Sequence, residues 1–222
     1  MPAPPPAKRH PYNQWSPDAR ALDLVGDKWT LLIVRDLAGG PRRFVELQRV
    51  LPGISTEQLR SRLNRMVADG LLTRQRYREV PPRVDYELTE RAKELLPVVG
   101  ELARWGYNWA WSPPRPGEAI DIGAIFRCAP GMVSLPRDAS GSIELTVGQR
   151  QYTLIAEAGG VRIEERAAPE ARARVSGPER SWIEALGPAC ARVDLDIEGD
   201  RRLAGMVLDG FSAVAARQSR AA

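Results

Sequence analysis

Histidine and cysteine are scarce in this chain of 222 residues. The sequence contains one histidine, His10, and two cysteines, Cys128 and Cys190, which lie far apart and form no C-x-x-C motif. Zinc sites and histidine-based catalytic sites need clusters of these residues, so the sequence predicts neither kind of site. Two distant cysteines are more typical of buried free thiols than of a disulfide. We therefore predict no metal and no cofactor.

Long apolar runs and catalytic motifs are missing as well. No stretch approaches the roughly 20 apolar residues that a membrane-spanning helix needs. Residues 1–15, MPAPPPAKRHPYNQW, lack the apolar core of a signal peptide and are rich in proline, which predicts a disordered arm. The sequence has no Ser-His-Asp set, no G-x-G-x-x-G motif and no P-loop. We expect a cytoplasmic protein that is not an enzyme and contacts no membrane.

What the sequence does contain is an uneven distribution of charge. It carries 32 Lys and Arg against 28 Asp and Glu, a net charge of +4. Residues 1–116 hold 19 Lys and Arg against 13 Asp and Glu, whereas the remainder holds 13 against 15. The first half is therefore the candidate for binding an anionic partner.

Proline and glycine dominate the segment WSPPRPGEA, residues 111–119, and no periodicity survives there. This composition predicts a domain boundary. The predicted organisation is the arm of residues 1–15, a first domain over residues 16–111, a linker over residues 112–119 and a second domain over residues 120–222. The fold class predicted for the chain is α+β.

The first domain has the element order of a winged helix-turn-helix. Ser16 and Pro17 begin a helix, KWTLLIVRDLAGG predicts a buried helix, and RRFVELQRVLPGI predicts a short helix that ends at Pro52 and Gly53. Another helix follows over STEQLRSRLNRMVADG, and the strands LLTRQRYREV and VDYELTE form a hairpin. Two helices joined by a tight turn and followed by a hairpin are typical of proteins that bind the DNA major groove.

The helix after the Pro-Gly turn is the predicted recognition helix. An S-x-x-Q capping box opens it, and its apolar residues lie on one side. Its outer face is polar and basic, so short side chains reach base edges while arginines reach phosphates or guanine. Together with two arginines before the preceding helix and one at the hairpin tip, the predicted DNA-contacting residues are Arg42, Arg43, Ser55, Thr56, Gln58, Arg60, Ser61, Arg62, Arg65 and Arg83.

The hairpin tip combines Pro81 and Pro82 with Arg83. Proline donates no hydrogen bond to a strand ladder and holds the tip extended, so the predicted role is a wing that lies along the sugar-phosphate backbone. Arg83 would supply the positive charge there, together with Arg78 in the preceding strand. Simple solvation of an arginine in a loop is the alternative.

Four pieces of the first domain match a known pattern in the right order. They are ALDLVGDKWTLLIVRDLAGGPRRFVELQRVLPGIS, LRSRLNRMVADGLLTR, YREVPPRVDYELTE and LARWGYNWA. Residues 16–109 thereby resemble the HxlR family of bacterial transcription regulators. The resemblance implies a cytoplasmic homodimer that binds double-stranded DNA at an inverted-repeat operator, and repression is the usual activity of the family.

The resemblance also bears on two individual features. It implies dimer contacts from helices at the two chain ends of the domain, which makes Trp105 and Trp109 candidates, since aromatic residues favour interfaces. Packing inside the protomer is the alternative. Many family members carry a cysteine just before the first helix, where this chain has Ser16. A thiol switch at that place is therefore excluded.

The second domain begins with strands. GSIELTVGQRQYTLIAEAGGVRIEE alternates apolar and polar residues, and two helices follow over RSWIEALG and RRLAGMVLDGF, each preceded by a strand. These cues predict an antiparallel sheet with helices on one face, and they resemble the sterol-carrier-protein-like fold. The resemblance implies an apolar cavity for a small hydrophobic ligand, with a closed core as the alternative. The candidate lining residues are Trp182, Leu186, Met206, Val207 and Phe211.

Two functions from different classes are compatible with these features. The first is a dimeric transcription regulator whose second domain senses a ligand or adds dimer surface. The second is a module that binds lipophiles or proteins and has no specific DNA reading. The polar and basic face of the recognition helix favours the first function.

Overall fold

The computed structural model describes residues 11–77, 83–137, 139–157, 160–190 and 194–218, with side chains described up to Phe211. The chain divides into two compact units, Met1–Leu95 and Leu96–Ala222. This division lies earlier in the chain than the predicted linker at residues 112–119. The C-terminal part of the predicted first domain, from Leu96 onward, is therefore part of the second unit.

The described part of the first unit has the element order predicted for a winged helix-turn-helix. The bounds are α1 Pro17–Val25, α2 Thr30–Leu37, β1 Arg42–Arg43, α3 Phe44–Val50, α4 Thr56–Ala68, β2 Leu72–Tyr77, β3 Arg83–Leu88 and α5 Glu90–Lys93. Side-chain caps explain two of the helix starts. The Ser16 hydroxyl accepts a hydrogen bond from the Ala19 N–H and caps α1, and Thr89 caps α5 in the same way through the Ala92 N–H.

The core of the first unit is built from one buried side of each longer helix. The strands pair antiparallel in the order β1-β3-β2, with α2 in contact with β3 and α4 in contact with β2. α2 buries Ile33 and Val34, while α4 buries Leu59, Leu63 and Met66. The spacing of these apolar residues is that of a helix with one buried side, so the other side of α4 is left to solvent.

The second unit combines helices with a larger sheet. The bounds are α6 Leu96–Trp109, α7 Ile122–Phe126, α8 Ala129–Met132, β4 Ser142–Val147, β5 Arg150–Glu157, β6 Gly160–Glu164, β7 Ala173–Gly177, α9 Glu179–Leu186, β8 Asp196–Gly199 and α10 Arg201–Gln218. The two short helices α7 and α8 were not predicted. The α+β class is confirmed, since both units mix helices with strands.

The sheet of the second unit is mixed and not purely antiparallel, so that part of the prediction is wrong. Its strand order is β6-β5-β4-β7-β8, and β4 pairs with β7 in parallel, with Leu145 opposite Val175. The other neighbouring strands pair antiparallel. After β6 the chain returns across the sheet, so β7 becomes the neighbour of a strand that runs in the same direction. Alternation along the sequence identifies strands but does not determine their order.

An aromatic cluster forms the core of the second unit. The ring of Phe126 lies 4.9 Å from Trp182, 5.3 Å from Tyr152 and 5.6 Å from Phe211, measured between centroids. Trp182 Nε1 donates to Thr146 O at 2.9 Å, so the buried indole N–H has a partner. Four of the residues predicted to line a cavity are buried in this unit. They are Trp182, Leu186, Val207 and Phe211.

Two small cavities lie among the described residues of the second unit. One lies beside Ile143 and Val207 and has no room for a water molecule. The other is a cleft of about 130 Å³ near the start of α10, lined by Arg172 and Met206 among others. Ligand pockets usually hold about 300 Å³ or more. Large side chains pack between the sheet and the helices of this unit, and the predicted ligand pocket stays a prediction.

α6 packs closely on α8. A Cβ atom added to Gly100 would lie 2.5 Å from the backbone carbonyl carbon of Gly131, which has a φ of 96°. Arg104 Nη2 donates to the carbonyl oxygens of Gly131 and Met132 at 2.9 and 3.1 Å. These close backbone contacts explain why α6 is part of the second unit.

Membrane-spanning helices and metal-binding clusters are both absent from the described residues. No helix among them is long and apolar enough to cross a membrane. No group of three or more histidine, cysteine, aspartate or glutamate side chains in this part of the chain has the arrangement of a metal site.

Candidate nucleic-acid interface

α3 and α4 form the helix-turn-helix pair. In the turn between them Gly53 has a φ of 84°, a value that favours glycine. α4 opens with the predicted capping box: Ser55 Oγ accepts from the Gln58 N–H at 3.1 Å, and Gln58 Oε1 accepts from the Ser55 N–H at 3.2 Å. The capping box is confirmed, and it sets the residue at which the recognition helix begins.

The first turns of α4 present an exposed polar face. Gln48 Nε2 of α3 donates to Thr56 Oγ1 at 2.8 Å, which links the two helices. The Arg60 guanidinium lies 3.1 Å from the Glu57 carboxylate, and both side chains are mostly exposed. Such a pair contributes little in water, so Arg60 can exchange Glu57 for a phosphate. The predicted DNA-contacting residues that α4 and its cap expose are Ser55, Thr56, Gln58, Arg60 and Ser61.

Arg62 and Arg65 are placed differently. Arg62 Nη1 lies 3.0 Å from Asp27 Oδ2, and the two side chains are 27% and 18% exposed. Arg65 Nε donates to Asp69 Oδ2 at 2.9 Å, and Asp69 is buried. Both arginines are held by acids of the same unit. These pairs do not test the predicted DNA contacts of Arg62 and Arg65, which stay predictions.

The wing hairpin brings Arg43 and Arg83 to one buried carboxylate. Arg83 Nε donates to Asp85 Oδ1 at 2.9 Å, and Arg43 Nε lies 4.0 Å from the same oxygen. The hydrogen bond from Arg83 lowers the pKa of Asp85 below its usual value, although burial opposes this. The Arg83 guanidinium also lies 5.3 Å from the ring centroid of Tyr77. Arg83 is thus half-exposed, and Asp85 balances its charge.

Other predictions for the wing have different outcomes. Arg78, Pro81 and Pro82 lie outside the described residues, so the stiff tip stays a prediction. Arg42 is 9% exposed in β1 and pairs with Tyr86 of β3. Arg42 is therefore less accessible than Arg43, and its predicted DNA contact stays a prediction.

β2 exposes two arginines that the sequence alone did not single out. Arg74 and Arg76 are both exposed, and the register places them opposite Tyr86 and Val84 of β3. Residues two apart on a strand share a face, so the two charges lie side by side on the edge strand of the sheet. The R-x-R spacing in TRQRY was the signal that would have identified them.

α6 exposes an apolar stripe at helical spacing. Large apolar side chains exposed in a row mark an interaction surface. Trp111 does not join this row, because its Nε1 donates to Leu186 O at 3.0 Å. The α6 stripe consists of Val98, Leu102, Trp105 and Trp109, which are 51, 53, 59 and 75% exposed.

Comparison with known proteins bears on this geometry. A family model described as HxlR-like helix-turn-helix matches residues 24–113. An HTH-type transcriptional regulator of Halalkalibacterium halodurans is 44% identical over 94 residues, which are 42% of this chain and 83% of that protein. The chain belongs to the HxlR-like helix-turn-helix family. The HTH-type regulator YkvN of Bacillus subtilis is 38% identical over 96 residues, or 43% of this chain and 81% of that protein.

Solved structures similar to this HxlR-like chain include the redox regulator HypR in its reduced form. It is 37% identical, with a TM-score of 0.40, and the match covers 41% of this chain and 90% of HypR. The reduced form of the transcriptional regulator YodB from B. subtilis is 32% identical, with a TM-score of 0.39. The match covers 47% of this chain and 100% of YodB.

The HxlR resemblance predicted from residues 16–109 is confirmed, and membership of this family implies DNA binding. The relatives are transcriptional regulators. The family model ends at residue 113, so the sterol-carrier-like resemblance of the second domain stays a prediction.

Proposed function

We propose that this HxlR-like protein is a homodimeric repressor that binds an inverted-repeat operator through α4 and the wing. The observation that carries the proposal is the exposed polar face at the start of α4, which the capping box and the buried stripe orient. Hydroxyl and amide side chains there suit the donors and acceptors of base edges in the major groove. The N–H groups at the start of α4 suit a phosphate.

Affinity in this proposal comes from arginines around the recognition helix. Arg43, Arg60, Arg74 and Arg76 are exposed or half-exposed on β1, α4 and β2. Each phosphate that they neutralise releases counterions, so affinity falls as salt rises. Arg83 is held by Asp85 of the same strand and faces the backbone with its exposed part.

The α6 stripe supports the dimer. Its exposed apolar side chains, with Trp105 and Trp109 as the largest, are covered when the same stripe of a second copy packs against them. A symmetric pair presents two copies of α4 to successive major grooves, about 34 Å apart. An operator with two-fold symmetry follows from that arrangement.

Selection from a pool of random duplexes tests the proposal without knowledge of the operator. We expect the selected duplexes to share an inverted repeat and to bind two protomers. The variant Ser61→Ala/Asn64→Ala, which changes two exposed residues of α4, should lose at least about tenfold of its preference for the selected duplex. Gln151→Ala, an exposed polar position on β5, is the matched control.

Two results would contradict DNA reading by α4. One is a selected pool without a shared motif. The other is a Ser61→Ala/Asn64→Ala variant that binds the selected duplex as tightly as the wild type does. Repression is tested separately with a reporter promoter that overlaps the selected site, where expression of the protein should lower the transcript. A higher transcript would replace repression by activation.

The lipophile-binding alternative is not part of the proposal. The aromatic cluster around Phe126 and Trp182 fills the space in which a pocket was predicted. A fatty acid such as oleate should therefore leave both the unfolding temperature and the affinity for the selected duplex unchanged. A large shift in either quantity would restore the alternative.

A further inference from the structure

Arg62 lies at the border of the buried side of α4. At about 100° per residue, it is roughly 70° from the centre of the buried stripe, whereas Ser61 and Asn64 lie on the opposite side of the helix. Its side chain is 27% exposed, against 60% for Arg60. The Arg62 side chain therefore points toward the rest of the first unit, although Arg62 lies on the recognition helix.

The partner of Arg62 is an acid that also organises the start of α2. Asp27 Oδ1 accepts hydrogen bonds from the N–H groups of Trp29 at 2.9 Å and Thr30 at 3.1 Å. Its Oδ2 accepts from the Thr30 hydroxyl and faces Arg62 Nη1 at 3.0 Å. One carboxylate thus caps α2 and holds α4 at the same time.

The helix that receives this contact is rigidly placed. α2 buries Thr30, Ile33, Val34, Asp36 and Leu37. A guanidinium that is tied to its first turn fixes the position and rotation of α4 against the core. To reach a phosphate, Arg62 would have to leave a partly desolvated carboxylate uncompensated, which costs more than breaking an exposed pair.

We propose that Arg62 is a positioning residue, which sets the rotation of the recognition helix through Asp27 and does not contact DNA. The inference rests on the proposed function, since it concerns how α4 reads DNA. Loss of the pair leaves α4 able to bind the backbone but lets its base-reading side chains move. The consequence is a loss of sequence preference at nearly constant non-specific affinity.

The test measures binding of five purified full-length variants to the selected duplex and to a scrambled duplex over a range of salt concentrations. The variants are Arg62→Ala, Arg62→Lys, Asp27→Asn, the double variant Arg62→Ala/Asp27→Asn, and Arg60→Ala as the matched control on the same helix. Asn keeps an oxygen for the N–H groups of Trp29 and Thr30 but loses the charge that pairs with Arg62. Urea unfolding gives the folded fraction of each variant, and each affinity is calculated for the folded protein alone.

We expect Arg62→Ala to lower the ratio of specific to non-specific affinity about tenfold, without changing the salt slope. Asp27→Asn should have the same effect, and the double variant should be no worse than either single one, because one interaction is lost in all three. Arg62→Lys, which keeps a charge within reach of Asp27, should recover part of the ratio. Arg60→Ala should instead reduce the salt slope.

Other results would overturn the inference. A salt slope reduced by about 0.9 in Arg62→Ala, with equal losses on both duplexes, would make Arg62 a direct phosphate contact. Additive effects of Arg62→Ala and Asp27→Asn would separate the two residues, and an unchanged ratio would leave Arg62 without a role in reading. If the wild type prefers no duplex, the proposed function itself fails. If the wild type has a preference and only the variants behave differently than expected, the inference about Arg62 fails and the proposed function stands.

Discussion

Arginine is the residue type whose roles differ most from one position to the next. Arg60, Arg74 and Arg76 are exposed, whereas Arg62 is held by Asp27 and Arg42 is buried. The sequence shows the same side chain at all of these positions. What separates them is the acid or the core that lies within reach, and this decides which arginines remain available to phosphates.

The wing arginines give a prediction at this scale. Arg74→Ala and Arg76→Ala should each weaken binding to selected and scrambled duplexes alike and reduce the salt slope by about 0.9, because each removes one phosphate contact. Arg180→Ala, an exposed arginine of α9 in the other unit, is the control for net charge. Titrations at several salt concentrations measure the slope. A slope equal to that of the wild type would exclude β2 from the interface.

Asp121 gives a second prediction. Burial alone would raise its pKa, but Arg127 and Arg150 outweigh burial and lower the pKa below the usual value. Because the folded pKa is below the unfolded value of about 3.9, Asp121 contributes stability above that pH, and the contribution is lost as pH falls through the folded pKa. Asp121→Asn should therefore destabilise the protein at pH 7 by about 3 kcal/mol, since Arg127 is buried.

The same variant should lose less stability than the wild type when the pH is lowered below about 4. Urea unfolding at a series of pH values measures both effects, and Glu184→Gln on the exposed side of α9 is the control. If Asp121→Asn and the wild type lose equal amounts of stability as the pH falls, a group other than Asp121 governs stability at acid pH.

At the scale of elements, local chemistry predicts where helices begin better than it predicts what they pack against. The S-x-x-Q box at Ser55 opens α4 as expected. The residues from Ser176 to Glu179 have a similar S-x-x-E pattern, but this pattern does not cap α9. Ser176 lies in β7, where it pairs with Thr146 of β4, and Pro178 directly precedes the helix. A capping pattern needs a free chain segment, and strand pairing removes that freedom.

The α6 stripe gives a prediction for an element. Leu102→Glu should raise the dissociation constant of the dimer at least about tenfold, since it buries a charge in an apolar contact. Val45→Glu, a similar change at an exposed apolar residue of α3, should leave the dimer intact. Sedimentation over a range of concentrations measures both constants. Equal dimerisation of Leu102→Glu and the wild type would place the dimer contact elsewhere.

At the scale of the whole molecule, α6 is the element whose placement changes the domain description. Its Gly100 side is packed on α8, while its stripe is exposed. The second unit is therefore the part of the chain that carries the proposed dimer contact. A symmetric dimer then requires two half-sites at a fixed separation on the duplex.

That separation can be tested directly. Insertion of about 5 base pairs between the half-sites of the selected duplex turns one half-site by half a helical turn, so affinity should fall to that of a scrambled duplex. Substitution of the same number of central base pairs at constant spacing is the control and should have a much smaller effect. Full affinity after the insertion would mean that protomers bind independently.

The order of residues was enough to identify the helix-turn-helix, its capping box and its family. These features depend on neighbours within a few residues and on helical spacing, which the order of residues records. The folded chain was needed to show that Arg62 faces Asp27, that α6 packs with the second unit, that β4 and β7 are parallel neighbours, and that Trp182 fills a core. Each of these outcomes depends on residues far apart in the chain meeting in space, where packing and ion pairing compete with alternatives that no local pattern records.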